Sequence, residues 1–229
     1  MKTIGLIGGM SWESTATYYQ LINQGIKESL GGLHSAKLIL VSFDFAEVEA
    51  LQSIGDWQSA AQLLIRASHA LEAAGADAVM ICTNTMHKVS QEIETHISIP
   101  LLHIADATAA ALIQDSVHKV GLLGTAFTME QTFYSSRIQA HGIDVVTPND
   151  DDRVLVHKVI YQELCLGRVI DASKQAYINV INSLADCGAE AIVLACTEIG
   201  LLVQQADTRV ALYDTTEIHA QAAVKFMLS

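Results

Sequence analysis

Short apolar runs alternate along the chain with longer segments of helical period. The runs Thr3–Ile7, Lys37–Ser42, Ala78–Ile81 and Leu101–Ile104 predict strands. Between them fall predicted helices at Glu13–Leu30, at Asp56–Ala74 and from about Met86. After a helix over Ala105–Gln114 the order begins again. Strands are predicted at Lys119–Leu123, Asp144–Val146, Ala191–Ala195 and Val210–Tyr213. Helices are predicted near Glu130–His141, Asp151–Leu166, Asp171–Cys187 and Thr215–Leu228. The strands are near-continuous hydrophobic runs, the pattern of parallel strands covered on both faces. Strand–helix alternation throughout predicts an α/β fold with parallel sheets.

The restart is an internal repeat. Gly5-Leu6-Ile7-Gly8 returns as Gly121-Leu122-Leu123-Gly124, 116 residues later. Gly75-Ala76-Asp77-Ala78-Val79-Met80-Ile81 returns as Gly188-Ala189-Glu190-Ala191-Ile192-Val193-Leu194, 113 residues later. Two matched blocks in one order predict two similar parallel-sheet lobes related by a pseudo-two-fold axis. Residues 1–114 with 214–229 are expected to form the first lobe and 115–213 the second. The functional site is expected in the cleft between them.

Composition removes several function classes. The 229 residues are 51% hydrophobic and 17% charged, which excludes a disordered chain. Thirteen Lys and Arg stand against 25 Asp and Glu, a net charge of −12, the wrong sign for a nucleic-acid partner. No uncharged run reaches the roughly 20 residues of a spanning helix, so no membrane partner is expected. The N-terminal apolar run is too short for a signal peptide, and a cytoplasmic location is expected. Cys82, Cys165, Cys187 and Cys196 form no C-x-x-C pair and have no histidine at zinc spacing, so no metal is expected.

The second matched block holds the candidate chemistry. One copy runs on as Cys82-Thr83-Asn84-Thr85, the other as Ala195-Cys196-Thr197-Glu198. At the 113-residue offset Thr83 corresponds to Cys196. Both lie just past the carboxyl end of a buried strand, where open α/β sheets place ligands. A helix is expected to start after each, and its positive end would lower the Cys196 thiol pKa. Two proton-handling groups on opposite walls of one cleft suit inversion at a stereocentre. Cys82 is expected to be a packing residue, because its mate is Ala195.

These blocks resemble the aspartate/glutamate racemase family over the whole chain. The resemblance rests on Gly5–Glu13, Thr83–His87, Gly121–Thr125, Gly188–Gly200 with Cys196-Thr197-Glu198, and Asp214–Ala220. It implies a cofactor-independent amino-acid racemase with two α/β lobes, acting as a homodimer on a small amino acid. The family usually has a cysteine where this chain has Thr83, and the sequence looks like the subgroup with threonine there. By resemblance Cys196 and Thr83 are the catalytic pair. A hydroxyl is a far poorer base than a thiolate, so the two enantiomers should be handled unequally. Asn84, Thr85 and Thr197 are expected to hold the α-carboxylate. Met10, Thr125, Thr128 and Glu198 are further expected substrate contacts. His87 and His219 are expected one layer behind. Aspartate-specific relatives often carry an Arg in the early loop and a Lys at the position of Cys165. Here Phe45–Gly55 has no Arg, Cys165 is uncharged, and Gln52 is the polar candidate. Two other functions share the pattern: a single-cysteine decarboxylase of malonate-type acids, and a non-catalytic small-acid binding protein.

Overall fold

The computed structural model describes residues 1–229. In chain order its elements are β1 (Ile4–Gly8), α1 (Trp12–Leu30), β2 (Leu38–Ser42), α2 (Phe45–Ser53), α3 (Trp57–Ala73), β3 (Ala78–Ile81), α4 (Ser90–Glu94) and α5 (Ile104–Gln114). There follow β4 (Lys119–Gly124), α6 (Ala126–Glu130), α7 (Thr132–Gln139), β5 (Asp144–Val146), α8 (Asp150–Gln162), α9 (Asp171–Asp186), β6 (Ala191–Ala195), α10 (Ile199–Leu202), β7 (Ala211–Asp214) and α11 (Thr215–Leu228). The chain forms two compact units, residues 1–104 with 219–229 and residues 105–218. No helix is long and apolar enough to cross a membrane.

Each unit has its own parallel sheet, in the order β2-β1-β3 and β5-β4-β6-β7. The inner strands are buried along nearly their whole length: every residue of β1 and β6 is buried, whereas β2, β5 and β7 at the edges are only half covered. In the first unit the two faces separate by alternation. Ile4, Leu6, Ala78 and Met80 pack with Tyr18, Ile22 and Ile26 of α1 and with Ala220, Ala223 and Met227 of α11. Ile7, Val79 and Ile81 pack with Leu64 and Leu71 of α3. In the second unit Ile192 and Leu194 pack with Tyr177, Ile181 and Leu184 of α9.

The repeat has a physical basis in both units. A Cβ added to Gly5 would stand 2.9 Å from Leu71 Cβ, and one on Gly121 would stand 2.6 Å from Ile192 Cδ1 and 2.9 Å from Leu184 Cδ1. Glycine is what lets α3 and α9 lie so close to their sheets. Gly75 and Gly188 turn the chain at φ +92° and +88°, a region open to glycine and costly for other residues. The acid two residues on then caps the neighbouring strand. Thr3 N–H donates to Asp77 Oδ2 at 2.6 Å, and His118 N–H donates to Glu190 Oε2 at 2.8 Å.

Several boundaries differ from the sequence expectation. Leu101–Ile104 is not a strand but a single parallel bridge, Val79 to Leu101. Pro100 has no N–H to donate, and α5 begins at Ile104, so no longer ladder can form. The early loop Phe45–Gly55 is largely helix α2, started by Asp44, whose carboxylate accepts from Ala46 N–H at 3.1 Å. The helix from Met86 is a 3₁₀ turn, Thr85–Val89, followed by α4. The helix near Glu130–His141 is broken at Gln131, and the one from Asp151 ends at Gln162 before a 3₁₀ turn at Leu164–Leu166.

Candidate active site

Both sheets follow the order in which the second strand lies outside the first and the third pairs on its other side. In such sheets the crevice at the carboxyl ends of the first and third strands receives ligands. The chain places its candidate residues there in each unit: Met10 after β1, Thr83–Thr85 after β3, Thr125 and Thr128 after β4, and Cys196–Glu198 after β6. Thr83 follows the alternation of Val79 and Ile81, and Cys196 that of Ile192 and Leu194. Each is therefore next in line on the α3-facing or α9-facing side of its own sheet.

In the first unit Thr83 is half-buried, while Asn84, Thr85 and His87 are buried. The His87 ring lies back under the turn. Its Nδ1–H donates to the Thr83 carbonyl at 2.8 Å, and its Nε2 accepts from Ile104 N–H at 3.3 Å. A carbonyl can only accept and an amide N–H can only donate, so these partners define the neutral tautomer. His219, on α11, is fully buried. Its Nε2–H donates to the Leu102 carbonyl at 2.7 Å, and its Nδ1 accepts from Tyr18 O–H at 2.9 Å. Burial pushes the His219 pKa down to about 4. The His103 ring packs 4.5 Å from His87, and His219 lies 5.8 Å from it. Sequence reasoning missed Tyr18 and His103. Tyr18 carried a signal, a large aromatic at the buried face of an amphipathic helix, but nothing local pairs it with a residue 201 positions away.

Gln52 is buried on α2, where its Nε2 donates to Met86 Sδ at 3.0 Å. Met10 belongs to the same apolar cluster as Met86 and Val48. Cys82 is fully buried on the opposite face, and burial alone pushes its thiol far up.

In the second unit Cys196 is 8% exposed and its thiol donates to Glu198 Oε2 at 3.1 Å. Thr197 Oγ1 donates to the same oxygen at 2.7 Å. The expected thiol-lowering helix is absent as such: α10 has four residues. Burial, the Glu198 carboxylate and Cys165 instead push the Cys196 thiol well up, against a smaller lowering by the Glu198 backbone. Cys165 lies in the 3₁₀ turn after α8, half-buried against the cluster that contains Cys196. Thr125 caps α6, accepting from Thr128 N–H at 3.4 Å, with the two hydroxyls 3.2 Å apart. No group of three or more His, Cys, Asp or Glu side chains is arranged to hold a metal ion.

Comparison with known proteins agrees with this architecture. The crystal structure of a candidate Asp/Glu racemase from Yersinia pestis is 55% identical and covers 100% of both chains, with a TM-score of 0.95. PH1733 of Pyrococcus horikoshii, an aspartate racemase homologue, is 33% identical over 100% of both chains, with a TM-score of 0.89. The broad specificity amino-acid racemase RacX of Bacillus subtilis is 25% identical over 167 residues, 69% of this chain and 68% of RacX. The profile of the Asp/Glu/hydantoin racemases matches residues 7–223. These similarities support amino-acid racemase chemistry, an isomerisation, and the chain belongs to the Asp/Glu/hydantoin racemase family.

Proposed function

We propose that this protein is a pyridoxal-independent amino-acid racemase in which Cys196 and Thr83 act on opposite faces of one substrate Cα. The observation that supports this most directly is the Cys196 thiol bonded to a carboxylate at a strand carboxyl end, with a threonine at the matching position of the repeat. A thiol there can exchange a proton with carbon, and the hydroxyl on the other face is a poor base but a usable relay. Asn84 and Thr85, with nearby backbone N–H groups, hold the α-carboxylate and the negative charge that develops as the proton leaves, while the Thr197 hydroxyl is committed to Glu198 Oε2. His87 holds the Thr83 carbonyl and so sets the angle of that turn, and His219 with Tyr18 anchors the segment behind it.

The substrate is aspartate, glutamate or a wider set of amino acids. Gln52 and Cys165 offer no positive charge to a second carboxylate, which favours breadth over a strict dicarboxylate preference. The protein works as a homodimer. Incubation of L- and D-amino acids in deuterium oxide, followed by NMR at Cα, tests the activity. Cys196→Ser should remove exchange by about 10³-fold or more; exchange at the parental rate in that variant would rule Cys196 out.

A further inference from the structure

Lys88 is a half-buried ammonium without a carboxylate beside it, in a chain where 25 Asp and Glu outnumber 13 Lys and Arg. Its Nζ lies 3.8 Å from the centroid of the Trp57 ring. Burial alone pulls its pKa down, and no neighbouring charge acts on it. We propose that Lys88 is the cation that binds the side-chain carboxylate of aspartate or glutamate, with Trp57 holding its ammonium in place. This rests on the reading of the protein as an amino-acid racemase whose α-carboxylate contacts include Asn84 and Thr85.

Lys88 belongs to the 3₁₀ turn Thr85–Val89, which follows directly on Thr83 and Asn84. In such a turn side chains three residues apart eclipse, so Thr85 and Lys88 leave the same face, about 6 Å apart along the axis. That spacing is comparable with the reach from the α-carboxylate to the side-chain carboxylate of glutamate, and the flexible lysine stem adjusts to the shorter aspartate. The turn itself is held by the His87 N–H on the Asn84 carbonyl at 3.1 Å and by the His87 ring on the Thr83 carbonyl at 2.8 Å. Trp57 opens α3 and packs on the cluster of Met10, Val48 and Met86, to which Gln52 is joined through Met86 Sδ. The ring therefore stands on the α3-facing side of the sheet, the side from which Thr83 emerges. An aromatic face attracts an ammonium but carries no net charge, so the contact positions Lys88 without neutralising it. Asp56, next to Trp57 in the chain, commits its carboxylate to the Ser59 N–H at 3.0 Å. A carboxylate that reaches Lys88 therefore gains a charge-assisted hydrogen bond with no competing anion. Gln52 and Cys165 carry no charge, and Lys88 supplies the cation from a different element. As a single point charge it ranks aspartate and glutamate above uncharged amino acids without excluding the latter.

The test compares the parent with Lys88→Met and Lys88→Arg. Methionine keeps the stem and a sulfur contact with Trp57 but removes the charge, and arginine restores the charge. Cα exchange in deuterium oxide gives KM and kcat for aspartate and glutamate and for the uncharged asparagine and glutamine. In Lys88→Met the ratio of KM for aspartate to KM for asparagine should rise about tenfold or more, and kcat for aspartate should fall by less than its KM rises. Lys88→Arg should restore most of the lost discrimination. A ratio in Lys88→Met within about threefold of the parent's overturns the assignment; if the parent takes dicarboxylates alone, KM for aspartate is read by the same limits. A second measurement needs no variant. The parent is acetylated with acetic anhydride, and the peptide containing Lys88 is followed by mass spectrometry. Saturating aspartate should slow acetylation of Lys88 about fivefold or more relative to asparagine, which consumes the same reagent. Equal rates under the two overturn the assignment even where a variant does not fold. If the parent exchanges no amino acid, the racemase reading fails, and protection by aspartate still places Lys88 on the carboxylate. If the parent exchanges and Lys88→Met keeps the parental ratio, the role of Lys88 alone fails.

Discussion

His219→Gln separates the acid sensitivity of the first unit from that of the rest of the chain. His219 is neutral in the fold, with Nε2–H on the Leu102 carbonyl and Nδ1 under the Tyr18 hydroxyl. Protonation would add a hydrogen at Nδ1, where the fully buried Tyr18 already donates. The folded pKa of about 4 lies below the ordinary 6.5 of the unfolded chain. Between those values the unfolded chain binds a proton that the folded chain refuses, so stability falls as pH falls. At 1.36 kcal/mol per pH unit the loss at pH 4 is about 3 kcal/mol. That is a large part of the 5–15 kcal/mol typical of a folded domain. Glutamine keeps an acceptor and a donor but does not titrate. At pH 7 His219→Gln should be less stable by about 1–3 kcal/mol, from imperfect replacement of two buried hydrogen bonds. From pH 6.5 to 4 its stability should then fall less than the parent's by about 3 kcal/mol. Urea unfolding followed by tryptophan fluorescence reads this directly, since Trp12 and Trp57 both belong to the first unit. Parallel stability–pH curves for parent and variant would refute the reasoning.

Other outcomes follow from the same structure. Thr83→Ala should damage the two directions of racemisation unequally, by about 10²-fold or more in the direction that needs the hydroxyl, while the melting temperature changes little because Thr83 is half-buried; equal losses in both directions would argue against the asymmetric pair. Gly121→Ala should cost about 1–3 kcal/mol, since Leu184 Cβ, 3.1 Å from the added methyl group, is fixed to α9 and cannot swing aside; a neutral urea midpoint would show that α9 moves freely. Malonate-type acids should release no carbon dioxide above the buffer rate, and release would shift the assignment towards a single-cysteine decarboxylase.

Much of the site was legible because it lies at strand ends, which the apolar runs mark. Cys196, Thr83 and their repeat relation come from the alignment of two short blocks. The order of strand and turn then puts them at the carboxyl ends. Helix α2 was missed although Asp44, Glu47 and the apolar Phe45, Val48 and Leu51 mark a capped amphipathic turn. The segment has nine helical residues between two loops, short enough for the pattern to pass as irregular. The strand expected at Leu101–Ile104 failed for the opposite reason. Its residues are apolar, but Pro100 before it and the helix start at Ile104 leave room for one bridge.

The state of the thiol was also beyond the sequence. Reading Cys196 as a thiol at a helix start assigned it a favourable positive end, whereas α10 is a single turn and Glu198 turns its carboxylate towards the sulfur. The sequence by itself determined the parallel α/β architecture, the repeat and the positions of Thr83 and Cys196. Those depend on local periodicity and on glycines that bring a helix close or turn the chain at positive φ. Tertiary structure decided the protonation of the groups. A pKa is set by burial and by partners distant in sequence, as the Leu102 carbonyl lies 117 residues from His219, and no local pattern encodes which buried atoms will meet.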